Sequence, residues 1–275
     1  DISLESEKNL VRVTEDGAHF NDDYGESYLN AEISVEIQEK LGADIIVAFD
    51  EPTSPRHDYA YTKESLERTH KWALRSLAAR TRENQAMYGV VQGGAFRDLR
   101  EASAKFIGAQ TFEGFAIGGS YGESMGTPRG DMLSVLRWST PYLPEEKPRH
   151  LLGIGKIEDV FDAVELGMDT FDCVIPTREA RHGSLWAKFG RFDIKKGIWQ
   201  GSHMKIQGDC HCPVCSEINL TRGELRELFK MKDQSAGRLA TMHNIFFFND
   251  LLEKIRMSIK EGRFPEFKKE FLANL

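Results

Sequence analysis

The sequence predicts an α/β fold: a parallel sheet covered by helices, followed by a smaller thiol-rich C-terminal region. Three observations carry this expectation. Between residues 43 and 175, short apolar runs rich in Val, Ile and Phe alternate with amphipathic stretches. Polar residues and glycines gather where each apolar run hands over to the next stretch. Beyond residue 183 the alternation stops, and three of the four cysteines (Cys210, Cys212 and Cys215) fall within six positions.

The apolar runs are 43–49, 86–91, 114–117, 150–154 and 170–175, each short enough to be a buried strand. The stretch 63–83, with Trp72, Leu74 and Leu77 among polar residues, reads as a helix. Ile157, Val160, Phe161 and Val164 recur at i, i+3, i+4 and i+7, which places one apolar stripe on another. About five strand–helix units are too few for a closed eight-stranded barrel and enough for most of one. A doubly wound open sheet has the same pattern at this level. No strand is followed directly by G-x-G-x-x-G, which weighs against dinucleotide binding.

The strand ends carry the candidate chemistry. Phe49-Asp50-Glu51 closes the first run, Gln92-Gly93-Gly94 the second and Gly118-Gly119 the third. Gly153-Ile154-Gly155 closes the fourth, and the last run contains Asp172 and ends at Pro176-Thr177-Arg178. In a β/α barrel the carboxyl ends of the strands form the active-site rim, and glycine there lets backbone groups approach a ligand.

Residues 184–208 read as basic and irregular, with Trp186, Phe189, Phe192 and Trp199 interleaved. Across 178–205 seven basic residues (Arg178, Arg181, Lys188, Arg191, Lys195, Lys196 and Lys205) face two acidic ones, Glu179 and Asp193. The overall charge of −7 argues against non-specific nucleic-acid binding. A local basic strip can still meet a phosphate backbone, or it can be a solvated loop. Gly201-Ser202-His203-Met204 matches what tag cleavage leaves behind; its internal position favours coincidence over an engineered junction.

The cysteines read C-x-C-x-x-C, and His243 follows after 27 intervening residues. Three thiolates and one imidazole are what zinc takes in a closed tetrahedral site. An odd trio cannot pair internally as disulfides; three unrelated buried thiols are the alternative. A helix carrying Leu225, Leu228 and Phe229 follows. A long final helix over about 236–261 would be anchored by Phe246, Phe247, Phe248, Leu251, Leu252 and Ile255. Zinc would pin His243 on that helix to the cysteine loop.

Hydrophobic residues make up 40% and charged residues 29% of the 275, as in a globular chain, and no apolar run approaches the roughly 20 residues that span a bilayer. Asp1-Ile2-Ser3-Leu4-Glu5 lacks the features of a signal peptide, and a thiol-rich metal site fits a reducing compartment. The expected location is cytoplasmic.

Together these strings resemble the tRNA-guanine transglycosylase (queuine tRNA-ribosyltransferase) family. The resemblance rests on residues 43–51, Val91-Gln92-Gly93-Gly94, Phe115-Ala116-Ile117-Gly118-Gly119 and Leu151-Leu152-Gly153-Ile154-Gly155. It rests further on Phe171-Asp172-Cys173-Val174-Ile175-Pro176-Thr177-Arg178 followed by the zinc set. It implies a (β/α)8 TIM-type barrel, partial in this chain, with a C-terminal zinc-binding subdomain. The expected division is 1–183 for the barrel portion carrying the base-exchange site and 184–275 for the zinc-binding subdomain and C-terminal helices.

The resemblance implies exchange of guanine at the tRNA wobble position for a 7-deazaguanine, a queuosine precursor, without ATP or an organic cofactor. By it, Asp172 is the catalytic nucleophile that forms a covalent aspartyl-ribose intermediate. Asp50 would accept from the adjacent N–H donors of guanine, with Gln92, Gly119, Leu152 and Gly153 completing the base pocket. Arg178, Arg181 and His182 would hold neighbouring nucleotides. Cys210, Cys212, Cys215 and His243 would hold a structural Zn2+, and two copies would form a homodimer.

Two departures from the family pattern stand out. The family's upstream Asp-Ser-Gly-Gly-Phe-Gln string, which supplies its general acid/base, is absent. Ser3-Leu4 and Val13-Thr14-Glu15-Asp16-Gly17 resemble what normally follows it, so the chain reads as lacking an N-terminal portion and is expected to be nearly inactive by itself. Gly118-Gly119-Ser120-Tyr121-Gly122-Glu123 is one residue shorter than the bacterial pattern, which leaves the 7-substituent open. The competing readings are a transglycosylase acting on DNA or using the cyano-substituted base, and a non-catalytic tRNA-binding partner subunit. A metal-dependent hydrolase is the weakest, because only His150 lies near a strand end as a candidate ligand.

Overall fold

The computed structural model describes residues 11–22, 25–119 and 129–275. Ser3-Leu4 and Ser120-Tyr121-Gly122-Glu123, used in the sequence comparison, lie outside the described residues. Contacts divide the chain into two compact units, Asp1–Ile154 with Asp159–Asp172, and Gly155–Glu158 with Cys173–Leu275.

The first unit opens with an antiparallel sheet that the sequence reading did not assign: β1 (Val11–Val13), β2 (Ala18–Asp22) and β3 (Gly25–Leu29). Its strands are short and carry charged residues, so alternation is weak, yet Val11 and Ala18 are buried in one cluster with Phe49 and Trp72. Helix Ala31–Leu41 follows. Asn30 caps it by accepting from Ile33 N at 2.8 Å, and Gly42 ends it with φ 77°, a conformation that favours glycine.

The main sheet is parallel, with β4 (Ile45–Val47), β5 (Ala86–Val91), β6 (Gly114–Ile117), β7 (Arg149–Leu151) and β8 (Thr170–Phe171) adjacent in chain order. A doubly wound sheet reverses its strand order; this one does not, which is the arrangement around a β/α barrel. Helices Tyr59–Ala79, Arg97–Gly108, Arg129–Ser139 and Ile157–Glu165 follow the strands in turn. Every residue of β6 is buried, and Phe115 and Ile117 join Met87, Val91 and Leu151 in the core, as strands covered on both faces require.

Two of the apolar runs need correction. The run 43–49 contributes only three ladder residues, and the run 170–175 only two, because Ile175 opens a helix with Pro176 in its first turn. Proline fits that position, where its missing N–H leaves no helical bond unmade. The stretch around Trp72 is helical as expected, over Tyr59–Ala79; Leu66, Trp72 and Ala73 are buried and Leu74 is 45% exposed.

The second unit begins its regular structure with helix Ile175–Arg181 and continues into an antiparallel hairpin, β9 (Ser184–Ala187) and β10 (Gly190–Asp193). The expectation of irregular structure over 184–208 is therefore wrong at its start. All four residues of β9 are buried, so they show no alternation to read. Helices Pro213–Ser216, Arg222–Lys230, Gln234–Lys260 and Phe264–Ala273 complete the unit. Phe247, Leu251 and Ile255 on the long helix are buried, one stripe at helical spacing. Among the described residues no helix is long and apolar enough to cross a membrane.

Candidate active site and metal centre

The parallel strands all present their carboxyl ends on one side, and the candidate residues sit there. Gln92 follows β5 directly, Gly118-Gly119 follow β6, Leu152-Gly153 follow β7 and Asp172 follows β8. Asp50 lies three residues beyond β4, where the backbone continues the ladder through Ala48 N to Tyr88 O at 2.9 Å. Five strand ends from one sheet thus contribute one group each.

Asp50 and Gln92 meet: Gln92 Nε2 donates to Asp50 Oδ2 at 2.7 Å. Burial pushes the Asp50 carboxyl up to about 6; the Gln92 amide works against this, and the neighbouring Glu51 charge adds to it. Gln92 is itself only 2% exposed, and among the described residues its Oε1 is buried without a hydrogen-bond partner. One amide N–H of Gln92 is therefore spent on Asp50. A Cβ at Gly118 would lie 2.4 Å from Gln92 Nε2, so only glycine leaves that amide its place.

The supporting groups are buried or half-buried. Gln92 N donates to Ser103 Oγ at 3.1 Å, and His70 Nε2 lies 3.4 Å from the same hydroxyl. Burial pushes His70 down to about 4, so its ring is neutral at physiological pH. The fully buried Arg100 donates to Gly94 O at 2.7 Å, Val91 O at 3.0 Å and Gly118 O at 2.8 Å, tying the ends of β5 and β6 together. Beside Asp50, Glu51 accepts from Arg68 Nε at 2.8 Å and from Tyr61 Oη at 2.7 Å, both carboxylate oxygens being engaged. That pair anchors the segment after β4 to helix Tyr59–Ala79.

Asp172 is in a different environment. Its side chain is 61% exposed. His150 Nε2 lies 3.2 Å from Oδ1, and Gly153 N donates to the same oxygen at 3.0 Å. The His150 hydrogen bond is the largest influence holding its carboxyl below the usual range, against partial burial; the Gly153 amide adds to it. Asp172 is thus an exposed, charged carboxylate with one oxygen fixed. The two aspartates are tuned apart: Asp50 is desolvated, with its carboxyl raised to about 6, and Asp172 is held below the usual carboxylate range. Gly153 has φ 76°, so its left-handed turn is what aims its N–H at Asp172.

In the second unit, Arg178, Arg181 and His182 are exposed at the C-terminal turn of helix Ile175–Arg181, at spacings of three and four that share one face. Of the basic strip, Lys188 pairs with Asp209 at 3.0 Å and Arg191 with Glu179 at 3.1 Å.

Cys210, Cys212, Cys215 and His243 are all buried, with ligand atoms within 4.8 Å of one another. His243 Nδ1 stands 3.8, 3.5 and 3.5 Å from the three sulfurs in chain order. Zinc–ligand bonds of about 2.3 Å to sulfur and 2.0 Å to nitrogen set a tetrahedral S···N edge of about 3.5 Å, so the residues fit a metal of that size. His243 Nε2 lies 2.8 Å from Trp186 O, a bond that puts its proton on Nε2 and turns Nδ1 toward the thiols.

Sequence reasoning placed His150 only as a candidate metal ligand and missed Arg100, His70 and Ser103. The pairing of His150 with Thr170 across β7 and β8 could have been found from register, since residues of equal depth on adjacent parallel strands are neighbours. Arg100 carried no such signal: on the helix pattern it reads as one more solvated charge.

A family model described as queuine tRNA-ribosyltransferase matches residues 2–275. A protein of Archaeoglobus fulgidus is 47% identical over 97% of this chain and 67% of its own length. Proteins named queuine tRNA-ribosyltransferase from Halothermothrix orenii and Caldanaerobacter subterraneus are 42% and 41% identical, each over 96% of this chain and 70% of the relative.

Proposed function

The chain belongs to the queuine tRNA-ribosyltransferase family, and we propose that it exchanges guanine at the tRNA wobble position for a 7-deazaguanine. The observation that supports this best is the contrast between Asp50 and Asp172 at the ends of one sheet. Asp172 attacks C1′ of the target nucleotide as an ionised carboxylate, forming a covalent aspartyl-ribose intermediate. The bond pair of the C1′–N9 bond leaves with guanine, which takes up one proton. The entering base surrenders one, so the exchange is proton-neutral and one glycosidic bond replaces another.

Asp50 binds the base. Guanine presents two adjacent N–H donors, and a carboxylate accepts both; adenine would leave its charge unmatched. The second amide N–H of Gln92 meets the base carbonyl, Gly119 supplies backbone, and Leu152 and Gly153 border the flat ring. An anticodon loop lets the target base leave its stack at modest cost. Arg178, Arg181 and His182 contact neighbouring phosphates or bases. Cys210, Cys212, Cys215 and His243 hold a Zn2+ whose four positions are filled by protein, so its part is structural and the first unit performs the exchange. A homodimer and a cytoplasmic location complete the reading on the strength of the family resemblance.

The test is incorporation of labelled guanine into tRNA lacking the modified base, with double-stranded DNA in parallel. Because the sequence holds no Asp-Ser-Gly-Gly-Phe-Gln string to supply an acid/base group, the reading predicts only slow incorporation of label into tRNA, lost in Asp172→Asn. Label in DNA alone would transfer the reaction to the other polymer, and none in either would reject it.

A further inference from the structure

We infer that His150 is a positioning residue that fixes Oδ1 of Asp172 and sets the balance between the free and the ribosylated carboxylate. The inference rests on the base-exchange reading above. His150 and Thr170 are register partners on β7 and β8. Thr170 Oγ1 lies 2.9 Å from Nδ1 of the ring, and Asp172 Oδ1 lies 3.2 Å from Nε2. With the threonine hydroxyl donating to Nδ1, the ring has its proton on Nε2 and donates to the carboxylate. The His150 side chain is 20% exposed, against 61% for Asp172.

Among the described residues, the hydrogen bonds to the Asp172 side chain, from His150 and from Gly153 N, both land on Oδ1. Oδ2 is therefore the attacking oxygen. When the Oδ2–C1′ bond forms and the C1′–N9 bond breaks, the carboxylate charge disappears and Oδ1 becomes an ester carbonyl. A donor at Oδ1 is worth more to the carboxylate than to the ester, because hydrogen bonds to charged acceptors are the stronger ones. His150 therefore has two opposed effects. It aims the nucleophile, and it holds the intermediate back from becoming a sink by stabilising the carboxylate that must leave in the second half of the exchange. Without it the equilibrium shifts toward the covalent adduct.

The experiment is a guanine titration of the adduct. The chain is incubated with tRNA carrying wobble guanine at increasing free guanine, quenched in denaturant and resolved on a denaturing gel. The guanine concentration that halves the adduct measures the balance directly. His150→Leu should raise that concentration by about five- to tenfold, the difference between a charge-assisted hydrogen bond and an ordinary one. His150→Gln, which can still donate from a comparable position, should restore it to within a few-fold, and thermal unfolding of each variant reports the fold separately. If His150→Leu does not fold, His150→Asn, too short to reach Oδ1, gives the same comparison. An unchanged or lowered midpoint in the donor-less variants, or an equal shift in His150→Gln, overturns the inference while leaving base exchange standing. Absence of an adduct with the unsubstituted chain overturns the base-exchange reading and the inference with it.

Discussion

Asp50→Asn should make the protein more stable at neutral pH while abolishing the guanine binding proposed for it. The Asp50 carboxyl stands at about 6 in the folded chain against 3.8 in its ordinary state, chiefly because burial opposes its charge. A group whose folded pKa is raised favours the folded state when protonated. Its contribution is fully present below pH 3.8 and is lost as pH rises through 6. The shift corresponds to about 3 kcal/mol at most, and water reaching a half-buried carboxylate reduces it to about 1–3 kcal/mol. Asparagine stays neutral at every pH and still accepts from Gln92, so it escapes this penalty. Urea unfolding of the two proteins at pH 4 and pH 8 measures it. The variant should gain about 1–3 kcal/mol at pH 8 and little at pH 4. Guanine affinity of the unsubstituted chain should fall about tenfold per pH unit below 6, and that of the variant should be weak throughout. A variant less stable at pH 8, or a gain equal at both pH values, would refute the assignment of burial as the cause.

Three further outcomes follow from the same geometry. Cys212→Ser should abolish stoichiometric zinc, measured by metal analysis, and lower RNA affinity. Guanine binding should survive, because Asp50 and Gln92 belong to the other unit; an equal loss of both would contradict the division of labour. Gly118→Ala places a Cβ 2.4 Å from Gln92 Nε2 and should weaken guanine binding about tenfold with little change in melting temperature, as calorimetry can show. Arg68→Met strands Glu51 in a site where the pair is 6% and 3% exposed, and should cost about 3–5 kcal/mol in urea unfolding.

The barrel was legible in the sequence because its strands are buried on both faces. β5 and β6 coincide with the apolar runs 86–91 and 114–117, where nothing polar interrupts them. The runs at 43–49 and 170–175 misled because apolar character outlasts hydrogen-bond pairing. Phe49 is buried beyond the end of its strand, and Ile175 belongs to a helix. The long helix was read nearly end to end; Asp233, accepting from Ser235 N at 2.8 Å, fixes its start two residues earlier than its apolar stripe suggested. The β9–β10 hairpin escaped because its first strand is wholly buried and its basic residues read as loop. Of the site, the strand-end groups and zinc ligands were visible as residue types at telling positions. The hydrogen bonds that tune them were not, since the partners of Asp172 and Asp50 lie 22 and 42 residues away. Such pairings depend on strand register, which a single sequence does not state.

The central claim is that Asp172 is the nucleophile, and its most direct test is to find the residue that carries the ribose. The chain is mixed with tRNA carrying wobble guanine and quenched in denaturant. The RNA is then digested and the peptides are sequenced by mass spectrometry. The account predicts one nucleotide remnant, esterified to Asp172 and absent in Asp172→Asn. A remnant on another residue, or an adduct undiminished in Asp172→Asn, would contradict it.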